Sequence, residues 1–550
     1  MNFQVSSPSD LEEALINCTA ARIQRTLSHL GAARVVSATV NSSGAYQLAP
    51  TPSELPQTIP SQPIEGLPPF CDVRIEWRGN GNPPAHITVW VPLEWNGRFI
   101  GTLGAGNRTQ LPAVMPPNLR VTTLSSALRD RFAAASTDGG NRDSRLADWG
   151  LLEGTREIDW QLTENWVHRS THEMTLVAKA VIRAIHGSEP KYSYAIGSSG
   201  GGRQALVAAQ RYPSDYNGVW TSDPAINWTR AIPAMLWPAL VMNELGALGP
   251  AKLEAFRQAA VTACAGTGGL RDSVLGSFDP CDFDPHRMVG TDTAEGHITE
   301  RDAEVMARIW QGPRSPDGSF LWFGLRPGAE SWGNNALARG LCMTEMVGGV
   351  RRPIAFPLAV DYLKAWVLRD PDWDWRTLEL AGFADLFERS VSELPYLAAD
   401  DADLSAFRTC GGRIIMSHGA DDEVLPAAGT ISYYRQVIEA TGSLDATREF
   451  ARLFVSEGDG HSAPTERGPG LRTAEPLAAL IDWVEHNRAP DSLIARKLDP
   501  ETGRITASKP VYAYPFAARY AGGPPDEAES YEPHFEQDLR SDQALADRLP

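Results

Sequence analysis

Three positions in this sequence have the residue types and the chain order of a nucleophilic acyl-transfer site. The first is Ser199, at the centre of Gly197-Ser198-Ser199-Gly200-Gly201. An apolar, β-prone run (Tyr192 to Ile196) precedes it and a helical run (Arg203 to Tyr212) follows, ended by Pro213. G-x-S-x-G between strand and helix reads as a nucleophile elbow, where the serine takes a strained backbone conformation and the glycines let strand and helix pack closely. The amide of Gly200 then lies at a helix N-terminus, where it can stabilise an oxyanion. The second position is an acid on the loop after Arg413-Ile414-Ile415-Met416-Ser417, where Asp421 and Asp422 both qualify by place. A carboxylate there can accept a histidine Nδ1 hydrogen, fix its tautomer and stabilise the imidazolium. The third is His461 in Ser456-Glu457-Gly458-Asp459-Gly460-His461-Ser462, one strand and one helix beyond the acid.

G-x-S-x-G alone occurs often by chance, and a glycine-rich strand–helix turn also binds phosphate. Here no Gly-Lys-Ser/Thr follows the turn. The order Ser, Asp, His is that of the hydrolases built on such an elbow. His418 is the rival base, but it sits at the strand end ahead of the acid, where it braces the turn. A second oxyanion donor should come from Gly101-Thr102-Leu103-Gly104-Ala105-Gly106-Asn107, with Gly106 as the candidate, since glycine lets a backbone amide approach a substrate closely.

The elements that must position these groups alternate. Strands are expected at 87–91, 98–103, 132–135, 192–196, 218–221, 413–417 and 453–455. Helical patterns separate several of them. In one, from Trp166 to His186, Val167, Ser170, Met174, Val177, Ala178 and Val181 share a face. Such alternation implies an α/β fold with a mainly parallel sheet and right-handed crossovers. It breaks between about Asn227 and Phe407, a region rich in Trp, Gly and Pro that includes a helical stretch at 357–368. An insertion at that place stands over the carboxyl ends of the strands, where ligands bind. The expected division is a core from 1–227, a lid from 228–405 and the second part of the core with an acidic tail from 406–550. A helix is expected over 8–31, capped by Ser7 or Ser9 and stopped by Gly31. Seven prolines between Pro50 and Pro69 predict an extended surface connection. The acidic stretch 522–550 reads as partly disordered.

Composition bounds the function. A chain of 550 residues with a formal charge of −18 disfavours nucleic acid and anionic membrane as partners. The apolar stretch from Ile232 to Met242 is short and broken by Pro233 and Pro238, so no membrane span is expected. Met1 to Asp10 has neither the basic start nor the apolar core of a signal peptide. Sixteen tryptophans serve a core or an aromatic pocket equally well. None of the six cysteines forms a C-x-x-C pair, which disfavours zinc-ribbon and thioredoxin-type sites.

Taken together, these segments resemble the tannase/feruloyl esterase family of α/β-hydrolases. The likeness covers Trp95-Asn96-Gly97-Arg98-Phe99, Ser136-Thr137-Asp138-Gly139-Gly140, His172-Glu173-Met174-Thr175 with Ala178-Lys179-Ala180, the elbow with Arg203-Gln204, and Gln210-Arg211-Tyr212-Pro213. It continues through Arg326-Pro327-Gly328-Ala329-Glu330, Asp370-Pro371-Asp372-Trp373-Asp374, Tyr514-Pro515 and Ala518-Arg519-Tyr520. The resemblance implies a Ser-His-Asp carboxylesterase whose large lid covers an aromatic acyl group. Its acid-loop pattern, H-G-x-x-D-x-x-[VIL]-P, implies Asp422 as the acid and leaves Asp421 pointing to solvent. Its substrates would be small aromatic esters, with hydroxycinnamate esters first, gallate esters next, and terephthalate mono-esters in the same family. An acyltransferase and a non-catalytic binding protein are the readings from other classes.

The sequence departs from the family in three places. The family's paired cysteines before the nucleophile and after the histidine are here Ser198 and Ser462. A hydrogen bond between those hydroxyls would replace the covalent link only in part, at ~1 kcal/mol. The family's calcium loop lies between cysteines matched by Cys264 and Cys281, but its carboxylate positions read Ala265, Gly268 and Asp272. One acid cannot supply the six to eight oxygens Ca²⁺ takes, so no metal or other cofactor is expected. Ala513 stands where a C-terminal cysteine is expected. The resemblance implies Cys18–Cys71 and Cys264–Cys281 bridges, leaves Cys342 and Cys410 unassigned, and favours an extracellular or periplasmic location.

Overall fold

The structure, a computed structural model, describes residues 8–47, 63–79, 83–116, 118–141, 147–264, 275–276, 281–333, 340–465 and 467–535. Nine strands form the central sheet: β1 (Ala33–Asn41), β2 (Phe70–Trp77), β3 (Ala85–Pro92), β4 (Arg98–Thr102), β5 (Ala133–Thr137), β6 (Tyr192–Ser198), β7 (Gly218–Ser222), β8 (Arg413–Gly419) and β9 (Ala451–Ser456). Their order is β1-β2-β3-β5-β4-β6-β7-β8-β9. The pairings from β5 to β9 are all parallel, and those of β1 with β2, β2 with β3 and β3 with β5 are antiparallel. This is the α/β-hydrolase fold, and all seven strands expected from sequence lie in its sheet. The expectation missed β1 and β2 at the antiparallel edge.

Both faces of the parallel part are covered, so its strands alternate between two cores. Ala195, Ile414, Met416, Leu453 and Val455 face one core, with the helices Ser170–His186 and Ala427–Thr441. Tyr194, Ile196, Trp220, Ile415 and Phe454 face the other, against the helix Ala474–His486. The period of two is what a strand buried on both faces requires.

A third core gathers the segment between β7 and β8. It includes the helices Trp228–Ala234, Trp237–Leu245, Pro250–Cys264, Glu300–Gln311 and Phe383–Glu393. Trp149 and Trp166 from the preceding chain, and Val424 and Leu425 from the loop after β8, pack into it. Trp166 stands 4.8 Å from Trp228 and 5.7 Å from Trp366 between ring centroids. Buried aromatic pairs of this kind add about 1 kcal/mol each beyond area burial. The stretch 357–368 is helical, with a wide π turn at Leu363–Leu368.

The N-terminal expectation needs correction. In place of one helix over 8–31 there are two, Pro8–Asn17 and Ala20–Leu27, followed by a 3₁₀ turn ending at Gly31 (φ 66°). Thr19 is extended (φ −134°, ψ 139°) where the helix breaks. The cause is tertiary: Cys18 is bonded to Cys71 with Cα atoms 5.9 Å apart, and Asn17 Nδ2 donates to the Ile185 carbonyl at 2.9 Å. Ser9 lies inside the first helix, while Ser7 lies outside the described residues.

The helix expected from Trp166 begins earlier, at Trp160 under an Asp159 cap, and passes through a π turn at Asn165–Arg169 before Ser170–His186. Near the C-terminus, Phe516–Tyr520 pairs with Tyr531–Phe535, so part of the acidic tail is ordered in a hairpin. Positions 536–550 lie outside the described residues, as do 50–62 of the proline-rich connection, in the remainder of which Ile64–Glu65 pairs with Ala45–Tyr46. No single helix among the described residues is long and apolar enough to cross a membrane.

Candidate active site

Ser199 sits between β6 and the helix Gly200–Arg211 with φ 58° and ψ −123°, a conformation that L-residues avoid. The chain holds it there from three sides. Its amide donates to the Ser222 carbonyl at 2.9 Å, and its carbonyl accepts from the Arg203 amide at 3.0 Å and the Ala225 amide at 3.1 Å. The glycines are sterically required. A Cβ on Gly197 would collide with the Gly201 carbonyl, and one on Gly200 with the backbone of Gly106.

That second contact brings the loop after β4 against the elbow. Gln204, one turn into the helix, clamps this loop: its Oε1 accepts the Gly104 amide at 2.9 Å and its Nε2 donates to the Arg108 carbonyl at 3.0 Å. The Gly104 amide is thereby spent. Gly106 has φ 55°, and among the described residues the side chain near its Cβ direction is Leu358 of the inserted segment, at 3.8 Å.

On the acid loop, Asp422 and not Asp421 is the carboxylate that meets His461. Asp422 Oδ1 accepts the amides of Val424 at 2.8 Å and Leu425 at 2.7 Å. Its Oδ2 lies 2.8 Å from His461 Nδ1. His418 braces the same turn: Nε2–H donates to the Leu425 carbonyl at 2.8 Å and lies 3.2 Å from Asp422 Oδ2, so Nδ1 accepts from the Thr430 hydroxyl at 2.8 Å. Burial alone would raise the Asp422 carboxyl, but His461 and His418 hold it well below the usual range. Burial would likewise lower His461, yet the Asp422, Asp223 and Glu423 carboxylates push it up to about 9. Glu423 also accepts the His461 backbone amide at 3.1 Å.

Asp421 does point away from His461, but the expectation that it is solvated is wrong. It is buried under the inserted segment, with Oδ1 3.3 Å from Arg326 Nη1 and its carboxylate against Gly328. Burial pushes its pKa up to about 6 against the pull of Arg326 and Arg257. Nothing adjacent in sequence supplies that cover. It comes from Arg326-Pro327-Gly328 of the inserted segment, which folds back over the loop. A second tie joins Arg467 to Glu330 and, at 3.6 Å, to Glu254.

Ser198 Oγ and Ser462 Oγ are hydrogen-bonded at 2.7 Å. The residue before Ser199 and the residue after His461 are thus in direct contact. An imidazole held at Nδ1 by a carboxylate, beside a serine at an elbow, can act as general base toward that serine.

Sequence reasoning missed Arg120 and Asp223, both buried here. Arg120 Nη2 is 2.8 Å from Asp223 Oδ2, and its Nη1 is 2.7 Å from Asp459 Oδ1. Arg120 lies in an irregular stretch with no periodicity to mark it. The signal for Asp223 was an acid directly after an apolar strand.

Among the described residues one group has donor atoms close enough for a metal: Asp223, His418 and Asp422, within 4.8 Å of one another. Its donors are already committed, both His418 nitrogens to Thr430 and Leu425, and Asp422 to His461 and two backbone amides. The site therefore does not fit a metal. In the inserted segment Cys264 and Cys281 are disulfide-bonded, with Cα atoms 5.4 Å apart. Ala265, Gly268 and Asp272, between them, lie outside the described residues. Cys342 is a buried free thiol and Cys410 an exposed one.

The sequence profile described as tannase and feruloyl esterase matches residues 71–533. A probable feruloyl esterase of Arthroderma benhamiae is 30% identical over 483 residues, covering 86% of this chain and 87% of that protein. The mono(2-hydroxyethyl) terephthalate hydrolase of Piscinibacter sakaiensis is 28% identical, covering 78% of each. Among solved structures, a tannin acyl hydrolase from Aspergillus niger superposes with a TM-score of 0.79 at 21% identity over 97% of each chain, and an Aspergillus oryzae feruloyl esterase B with 0.75 at 21% over 93% of this chain and 100% of that one. At that identity they share the fold. With the profile spanning most of its length and the sequence relatives agreeing, the chain belongs to the tannase and feruloyl esterase family and is a carboxylic ester hydrolase.

Proposed function

We propose that this protein hydrolyses esters of hydroxycinnamic acids, of the feruloyl type, through an acyl-enzyme on Ser199. His461 takes the Ser199 proton through Nε2 as Oγ attacks the ester carbonyl, and Asp422 keeps the imidazole in the tautomer that allows this. The amides of Gly200 and Gly106 receive the oxyanion. His461 then protonates the leaving alcohol, and water repeats the sequence on the acyl-enzyme. The observation that carries the reading is the Asp422–His461 bond of 2.8 Å in a loop hydrogen-bonded to the elbow through Ser198 and Ser462. Because Gln204 occupies the Gly104 amide, Gly106 is the better second donor.

Residues 228–405 act as the lid, with Leu358 packed over the oxyanion loop at Gly106. The steps above use only side chains and backbone amides of this chain. The two disulfides suit an extracellular or periplasmic location.

The feruloyl esterases among the relatives support a hydroxycinnamoyl substrate, while the terephthalate mono-ester hydrolase keeps that acyl class in the comparison. The test has two parts. A fluorophosphonate should label Ser199, and Ser199→Ala should fold and lose hydrolysis. A panel of methyl ferulate, methyl gallate and mono(2-hydroxyethyl) terephthalate then ranks the acyl groups, and kcat/KM should be highest for ferulate. Wild-type turnover by Ser199→Ala would remove the mechanism, and a higher kcat/KM for gallate or terephthalate would replace the substrate. Product analysis with added alcohol separates hydrolysis from acyl transfer.

A further inference from the structure

Asp223 follows the last residue of β7, is fully buried and has φ 44°, a strained conformation for a residue with a side chain. Its carboxylate is divided between two other parts of the site. Oδ1 accepts the Gly419 amide at 2.8 Å, at the end of β8 and three residues before Asp422. Oδ2 accepts the Ser462 amide at 3.2 Å, directly after His461.

Arg120 holds Asp223 in place. Its Nη2 donates to both Asp223 oxygens, at 3.0 and 2.8 Å, and to the Gly460 carbonyl at 2.8 Å. Its Nε donates to Ser222 Oγ at 3.0 Å, and its backbone amide to the Ser462 carbonyl at 2.7 Å. One buried ion pair thus touches β7 beside the elbow, the end of β8 and both sides of His461. Among the described residues the elbow and the histidine loop are otherwise tied through the hydroxyl pair Ser198–Ser462.

We propose that Asp223, braced by Arg120, is a positioning residue for the reaction: it sets the spacing of the acid and histidine loops and faces the imidazole with a fixed negative charge. The inference rests on the triad reading above. Asp422, Asp223 and Glu423 face His461 as carboxylates, and Arg120, Asp459 and His418 make up the charged or titratable groups behind them. Asp223 adds to the charge that favours the imidazolium formed when His461 takes the serine proton.

Asp223→Asn keeps the shape of the side chain but loses one acceptor and the charge. It should lower kcat about 100-fold, the cost of a misplaced catalytic group, with KM within about threefold of wild type. The acidic limb of kcat/KM should move down by about one pH unit, because a nearby anion is lost. A purely structural brace would leave that limb where it is. Fluorophosphonate labelling of Ser199 should slow in parallel. Should Asp223→Asn not fold, Arg120→Gln/Asp223→Asn/Asp459→Asn, which removes every charge of the buried Arg120–Asp223–Asp459 cluster, should show the same loss of kcat and slowed labelling.

Activity within threefold of wild type with the limb unmoved overturns the proposal. So does failure of both variants to fold, since the pair would then serve the fold and not the site. If the wild type is not labelled, the triad reading fails. If the wild type is labelled and Asp223→Asn is labelled at the same rate, only this inference fails.

Discussion

Replacing Asp422 and Asp421 one at a time by asparagine is the sharpest test of the acid assignment, because the neighbours differ in everything except charge. In Asp422→Asn the oxygen that accepts the Val424 and Leu425 amides can stay. The amide nitrogen must then replace Oδ2, which lies 2.8 Å from His461 Nδ1 and 3.2 Å from His418 Nε2. An NH₂ there donates to Nδ1, so the His461 proton moves to Nε2 and the base is lost. It also opposes the Nε2–H of His418, which is fixed by the Leu425 carbonyl. The expected loss is ~10⁴-fold in kcat, equivalent to ~5.5 kcal/mol of barrier. Flipping the carboxamide would leave the two backbone amides facing NH₂, so the loop has no cheap escape.

In Asp421→Asn the side chain still accepts from Arg326, and only the charge of a pair linking acid loop and inserted segment is lost. Its expected cost is about 1 kcal/mol of stability and less than tenfold in kcat, since the group does not touch His461. The assay is steady-state hydrolysis of methyl ferulate by both variants, with thermal melting alongside. Similar losses of kcat in the two variants would refute the assignment and point to Glu423 or Asp459.

Four further outcomes can be measured. With His461 pushed up to about 9, kcat/KM for methyl cinnamate, which does not titrate, should climb with pH toward 9; a limb complete below pH 7 would contradict the buried carboxylate cluster. Because that folded value lies above the ordinary 6.5, the pair stabilises the fold fully below 6.5, and thermal melting should show this contribution lost as pH rises through about 9. Ser198→Ala removes the 2.7 Å bond to Ser462 and should lower stability by about 1 kcal/mol while keeping most activity, which urea unfolding and turnover would measure. Chelation by EDTA should leave melting and activity unchanged, as Ala265 and Gly268 offer no carboxylate; a drop restored by Ca²⁺ would reverse the expectation.

The sequence by itself determined the parts that depend on neighbours in the chain. Short apolar, β-prone runs placed the strands that carry Ser199 and the acid loop, because a strand buried on both faces is apolar along its length. Gly197 and Gly200 marked the elbow, because only glycine leaves room for the backbone contacts made there. Tertiary structure decided whatever depends on groups brought together from afar. The Cys18–Cys71 bond and the Asn17 contact broke a helix that local pattern made continuous. The edge strand β1 escaped notice because it is buried at few positions, and β2 beside it in the antiparallel margin was missed with it. Asp421 and Asp422 are equivalent by position on a turn. Arg326 buries the first and His461 engages the second only after the inserted segment and the loop after β9 have folded over them. Arg120 and Asp223 stand 103 residues apart and carry no motif. Their meaning arises from buried charges that meet across the sheet ends, Arg120 with Asp223 and Asp459, where low dielectric makes the pairing decisive.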